Sequence, residues 1–287
     1  MRKTIYILII SFFFSNTNKS RAQVIEYTAA DSIRIESILK KAHGKVADTD
    51  AMLYFGRQFL GTPYVGHTLE NGNTEHLIVN TRELDCTTFV ETVLALFRCN
   101  KNGETSFNAY CNQLRKIRYR QGKITDYTSR LHYFTWWGED NEAMGLVKCI
   151  SSGSYPFTAV QKMSINYMSA HPSLYKHLKG NSRFVETIKK YEQASNGKTY
   201  RYIPKSLLGE SRTKLSCIHT GDIVSIITNK AGLDTSHIGI AVWQDDGRLH
   251  LMHASSLYKK VVIDSNTFYD YSQKQTSQLG IRIYRPL

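Results

Sequence analysis

Leu84-Asp85-Cys86-Thr87-Thr88-Phe89-Val90-Glu91 places a cysteine where a helix begins. The Asp85 carboxylate suits the capping position, where a side-chain oxygen takes up a backbone N–H of the first turn. Phe89, Val90, Val93, Leu94, Leu96 and Phe97 follow at helical spacing, so Cys86 sits at the tip of a buried face. The positive end of the helix dipole favours its thiolate, the nucleophilic form. Asp85 opposes this, because a neighbouring carboxylate disfavours a second negative charge. A nucleophile here therefore needs a histidine as base, and the base needs an orienting group.

The 287 residues carry a 41% apolar fraction, enough for one substantial core or two smaller ones. Met1 to Ala22 stands apart. Arg2 and Lys3 open it, Thr4 to Phe14 is mostly apolar, and Ser20-Arg21-Ala22 offers small residues before Gln23. This is the pattern of a secretory signal peptide, and the apolar run is short for a membrane span. We expect an exported protein, periplasmic or otherwise extracytoplasmic, with no stable membrane insertion after cleavage. Without that segment the net charge falls from +13 to +9. A basic surface of this kind suits an anionic polymer or serves solubility. No nucleic-acid-binding motif is present. The five cysteines are Cys86, Cys99, Cys111, Cys149 and Cys217. An odd count leaves at least one thiol unpaired, and their spacing has no zinc pattern.

Helices are predicted over Ala30 to His43 and from Asp48 or Thr49 to Leu60, with Gly61 and Pro63 as the stop. A polar and aromatic loop, Gly61 to Glu70, leads to Cys86 by a strand-like piece at Leu77 to Thr81. Phe107 to Tyr119 reads as a basic amphipathic helix. Ser129 to Trp137 is dense in aromatics, and reads either as a loop packed by its own rings or as a ligand wall. Met163 to Leu178 and Arg183 to Ala194 read as helical or irregular. From Gly221 the period changes to strands: Asp222 to Thr228, His237 to Gln244, Leu249 to Ser255, Val261 to Asp264 and Gly280 to Arg285. Short turns between them predict an antiparallel sheet or half-barrel. The fold class is α+β, with one catalytic domain over residues 23–287.

His237-Ile238-Gly239-Ile240-Ala241-Val242 is the best source of the base. His237, Gly239 and Ala241 share one strand face, whose small residues would let the Cys86 helix approach. On the neighbouring strand His253 is expected to orient His237, with His250 facing outward. A metal reading would join His237 and His253 to Asp222 or Asp264, but ligand spacing is lacking. No metal or other cofactor is expected.

Together these residues resemble the NlpC-type cell-wall cysteine hydrolases of the papain-like superfamily. The resemblance rests on Gly61-Thr62-Pro63-Tyr64, Asp85-Cys86, Gly221-Asp222, His237-Ile238-Gly239 and His253-Ala254, in that order. Thr87-Thr88 departs from the usual Ser-Gly, and 150 residues separate Cys86 from His237. Both departures are similar to a branch of N-acetylmuramoyl-L-alanine amidases. Its hallmarks match Pro63 to Glu70, Leu84 to Glu91, Ser129 to Phe134 and Tyr202 to Lys205.

The resemblance implies a papain-like NlpC-type fold, with a branch-specific elaboration at about 100–215. It implies cleavage of the amide between N-acetylmuramic acid and L-alanine in peptidoglycan or muropeptide fragments. The alternative within the family is a D-glutamyl–diamino acid endopeptidase; outside it, a wall-binding module without catalysis. Cys86, His237 and His253 would be catalytic, and Tyr64, Thr68, Asp85, Arg130 and Trp137 would contact substrate. A monomer is expected.

Overall fold

A computed structural model describes residues 24–287. The expected signal peptide, Met1 to Ala22, lies outside them. The first part of the chain holds β1 (Ile25–Glu26), α1 (Ala29–Ala42), α2 (Asp48–Arg57), β2 (Leu77–Ile78), α3 (Cys86–Lys101) and α4 (Phe107–Arg118). The middle holds α5 (Phe134–Ala143), β3 (Val147–Ile150), β4 (Ala159–Lys162), α6 (Tyr167–Ala170), α7 (Ser182–Ser195) and β5 (Thr199–Pro204). Then come β6 (Ile223–Thr228), β7 (Thr235–Trp243), β8 (Leu249–Ser255), β9 (Lys260–Ile263), α8 (Phe268–Gln273) and β10 (Gln278–Pro286).

The architecture is a mixed α+β fold. Seven strands run in the order β4-β5-β10-β6-β7-β8-β9, with β3 also on β10 and every pair antiparallel. The five C-terminal strands fall on the strand-length segments read from the sequence, and β6 and β8 are buried along their whole length. The middle of the chain adds β3, β4 and β5 to the far side of the sheet. Sequence reading missed them: β3 and β4 are only four residues long, and β4 and β5 are largely half-exposed or exposed.

α3 runs through the centre of the larger apolar cluster. Phe89, Val90, Val93, Leu94, Ala95 and Leu96 are wholly buried. Burying each large side chain contributes roughly 1.5–3 kcal/mol. Glu91 is buried in the same helix and pairs with Arg118 Nε at 2.6 Å, while Arg118 Nη1 donates to the Ile78 carbonyl at 2.7 Å. This pair ties α3 to α4 and β2.

The helix meets the sheet on the face opposite to the expected one. Ile238, Ile240 and Val242 share the α3 cluster, whereas Ala241 and Leu251 belong to the second cluster across the sheet. The branched side chains supply the apolar contact. Gly239 instead meets the next strand, where an added Cβ would stand 2.7 Å from Leu251 Cδ1 and 2.9 Å from the Met252 oxygen.

The aromatic stretch is a core element rather than a ligand wall. Its second half opens α5, and Tyr133, Phe134, Trp136 and Trp137 are all buried. Among the described residues no helix is long and apolar enough to cross a membrane. All five cysteines are free thiols.

Candidate active site

Cys86 is the first residue of α3, and its position is fixed from two directions. Asp85 accepts a hydrogen bond from the Thr88 N–H at 2.8 Å, and Thr88 Oγ1 accepts one from the Asp85 N–H at 2.9 Å. This reciprocal cap is a capping box. It gives Thr88, one of the residues that depart from the usual motif, a structural task. Upstream, the loop Gly61 to Tyr64 joins the helix start to the sheet. Gly61 N–H donates to the Val261 carbonyl and Tyr64 N–H to the Lys259 carbonyl, both at 2.9 Å. On its other side, Leu84 N–H donates to the Pro63 carbonyl at 3.0 Å. The Gly-Thr-Pro-Tyr motif is thus a stitch between β9 and the residues that lead into Cys86.

Burial pushes the Cys86 thiol up to about 12, and the Asp85 carboxylate adds to the rise. The backbone N–H of Ile238 and the Thr87 hydroxyl and N–H oppose it by favouring the thiolate. The Ile238 contact sets Cys86 against β7, at the residue that follows His237. Among the described residues no hydrogen bond joins Cys86 to either histidine; such contacts commonly tighten only when substrate binds.

His237 lies near the start of β7. Ile226 of β6 pairs with His237 and Ile227 with Thr235, so Ser236 is an extra residue and the strand bulges there. Across the hairpin, His253 of β8 reaches His237. His237 Nε2 and His253 Nδ1 are 2.6 Å apart, with the rings nearly perpendicular. Burial and the neighbouring His253 push His237 down to about 3. The thiol and the imidazole therefore rest as a neutral pair.

Behind His253 stands Asp264, whose Oδ2 lies 3.7 Å from His253 Nε2. Burial alone would raise this carboxyl, but the facing His253 ring and the hydrogen bonds from Asn266 prevail and hold it at about 2. Sequence reading named Asp264 only as a metal-site acid. The signal for another role was its place just after β9, one strand away from His253. Tyr271 was missed too; its ring stands edge-on to His253 at 5.5 Å between centroids. Asp222, the other acid of the metal reading, takes a two-pronged contact from Arg285 at 2.8 Å and caps the His219 N–H. His250 is buried rather than outward-facing. It bridges the Asp264 carbonyl at 2.9 Å and the Asp246 carboxylate at 3.0 Å.

The expected substrate contacts divide. Tyr64 and Asp85 lie at the cysteine. Burial, then the nearby Cys86 and Asp85, push the Tyr64 phenol up to about 12, so it stays protonated and able to donate. Thr68 is half-buried, and its hydroxyl has no hydrogen-bond partner among the described residues. Arg130 is not available to a substrate carboxylate. It is buried, with Nε and Nη2 on Glu75 at 3.1 and 2.9 Å and Nη1 on Glu70 at 2.9 Å. Trp137 is wholly buried between Phe134, stacked at 4.6 Å, and Tyr284. Both are core residues, because the loop and helix that carry them fold inward.

A family model described as AmiA-like, N-acetylmuramoyl-L-alanine amidase-like, matches residues 54–281. The chain belongs to the AmiA-like family. Among curated proteins nothing matches it. A solved N-acetylmuramoyl-L-alanine amidase from Bacteroides uniformis is 40% identical, with a TM-score of 0.78 over 84% of this chain and 99% of that one. A Bacteroides fragilis structure with a provisional xylanase name is 43% identical, with a TM-score of 0.76 over 81% and 99% of the two chains. A Legionella pneumophila protein, 24% identical with a TM-score of 0.66 over 91% and 97%, shares the fold. The AmiA-like chain is accordingly an enzyme of the amidase type.

Proposed function

We propose that this enzyme hydrolyses the amide bond between N-acetylmuramic acid and L-alanine in peptidoglycan or released muropeptides. It acts outside the cytoplasm, by a thiol mechanism of the papain-like NlpC type, within a single catalytic domain. The observation that carries the reading is the 2.6 Å contact between His237 and His253 beside a cysteine at a helix start. Membership of an amidase-like family supports the substrate, and the basic, apolar N-terminal segment supports export.

His237 takes the Cys86 proton as sulfur attacks the lactyl carbonyl carbon, and the carbonyl oxygen becomes an oxyanion. The Cys86 N–H belongs to the first helical turn, which has no intrahelical acceptor, and can donate to that oxygen. Tyr64, whose phenol stays protonated near Cys86, serves as the second donor. Collapse of the intermediate expels the alanine nitrogen, which leaves with the proton held by His237. The resulting thioester is cleaved by water, whose proton passes through the same imidazole, and the thiol is restored. The neutral resting pair suits this sequence, because charge separates only when the carbonyl arrives.

Mass spectrometry of defined muropeptides treated with the purified protein tests the proposal. Free sugar plus intact stem peptide is expected. Sugar still carrying a dipeptide would replace the reading with the endopeptidase, and turnover of xylan alone would overturn it. Wild-type rates in Cys86→Ala would remove the thiol mechanism.

A further inference from the structure

We propose that Asp264 is a positioning residue of this site: it holds the proton on His253 Nε2 and so leaves Nδ1 of His237 as the free base. The inference rests on the reading of Cys86 and His237 as nucleophile and base.

The argument starts from proton counting. Two ring nitrogens 2.6 Å apart share one proton; two protons there would clash, and none would leave lone pairs opposed. His237 uses Nε2 in this contact, so Nδ1 is the only nitrogen left to accept the thiol proton. A bare Nδ1 on a neutral His237 requires the proton on Nε2, donated to His253 Nδ1. A neutral His253 must then carry its own proton on Nε2. The state of the base is thus set one residue further back.

His253 is buried, and its Nε2 has no hydrogen-bond partner among the described residues. What it faces is Asp264 Oδ2 at 3.7 Å, too far for a hydrogen bond but within reach of a strong charge–dipole interaction in a dry site. An N–H aimed at the carboxylate is attracted, and a lone pair aimed at it is repelled. The carboxylate therefore selects the tautomer that frees His237.

Asp264 is built to hold that orientation. Its N–H donates to the Leu251 carbonyl and its carbonyl accepts from His250 Nδ1, both at 2.9 Å. Its Oδ1 accepts from the Asn266 N–H and Nδ2 at 2.9 Å and from the Tyr258 hydroxyl at 3.3 Å. Oδ2 is left for His253. A turn-closing aspartate alone would need only Oδ1, and Asp264→Asn separates the two roles. The Asn266 N–H keeps the amide oxygen at the Oδ1 position, so the amide NH2 turns toward His253 Nε2. Donor then faces donor, and the His253 proton is driven to Nδ1.

Two measurements test this. Long-range 1H–15N NMR of the histidine rings is recorded in Cys86→Ser with and without Asp264→Asn. Turnover of a defined muropeptide is measured in wild type and Asp264→Asn. We expect Nε2–H on His253 in the parent and Nδ1–H once Asp264 is replaced. We expect kcat to fall at least about 100-fold with KM nearly unchanged; the wrong tautomer costs about 10,000-fold where the carboxylate hydrogen-bonds the base directly, and Asp264 acts one residue further back. A parent His253 protonated on Nδ1, an unchanged tautomer after replacement, or a kcat within about threefold of wild type would each overturn the proposal. The parent spectrum decides by itself if Asp264→Asn does not fold. Full activity in Cys86→Ala would instead strike the thiol reading, and the NMR result on Asp264 would stand apart from it.

Discussion

Asp85 performs two tasks that work against each other, and a pair of substitutions separates them. As the α3 cap its carboxylate takes the Thr88 N–H at 2.8 Å, and Asp85→Ala leaves that donor without its partner. Loss of such a cap costs about 1 kcal/mol, within a range of roughly 0.5–2. In a chain of this size that lowers Tm by about 2–4 °C. Asp85→Asn keeps an oxygen in place and should stay within about 0.5 kcal/mol of wild type. As a charge, Asp85 raises the Cys86 thiol. Both substitutions remove it, so in both the thiol titrates at lower pH and alkylation at a fixed pH of about 8.5 is faster. Thermal denaturation reads the first effect. Peptide-resolved iodoacetamide kinetics, which separate Cys86 from the other four thiols, read the second. Equal destabilisation by Ala and Asn would refute the cap, and slower alkylation in Asp85→Asn would refute the electrostatic argument.

His237 and His132 are both held neutral by burial, at about 3, below the unfolded value of about 6.5. Each contributes stability that is complete above pH ~6.5 and is lost as pH falls toward ~3, because the unfolded chain binds the proton first. Tm should therefore decline from pH 7 to pH 4, less steeply in His132→Phe; a flat profile would refute this. Arg130→Ala leaves Glu70 and Glu75 without their cation and should cost about 3–5 kcal/mol by chemical denaturation. Trp137→Ala empties a core site and should cost a similar 3–5 kcal/mol. Full stability with loss of substrate affinity alone, in either variant, would return that residue to the binding site. Gly239→Ala drives a methyl against the Met252 carbonyl and should destabilise by about 1–3 kcal/mol; unchanged stability would contradict the close strand contact.

The legible parts of the chain are those where one local rule decides. Asp85-Cys86 with an apolar stripe behind it marks a helix start, and α3 begins there. Strand-length segments separated by short turns from Gly221 onward mark the strands β6 to β10, and hairpin closeness brings His253 to His237. What failed needed knowledge of what lies on the other side. The composition of Ser129 to Trp137 is the same for a binding wall and for a core. Only the inward course of α5, with Tyr284 against Trp137 from β10, distinguishes them. Arg130 looked free because its partners Glu70 and Glu75 lie 60 and 55 residues away in sequence. The helix-facing side of β7 was misread for the same reason. Small residues admit a close neighbour, but they do not say whether it is a helix or the adjoining strand.

The place of β10 bears on when this protein can become active. It lies between β6 on one side and β5 and β3 on the other, so it joins two groups of strands that otherwise have no shared edge. It is also the latest strand of the described chain to be synthesised. A chain emerging from a ribosome can form the β7–β8 hairpin early, but its sheet stays in two pieces until β10 arrives. The histidine pair would then be assembled on an unfinished support. Completion of the hydrolase is in this way timed to delivery of the whole strand.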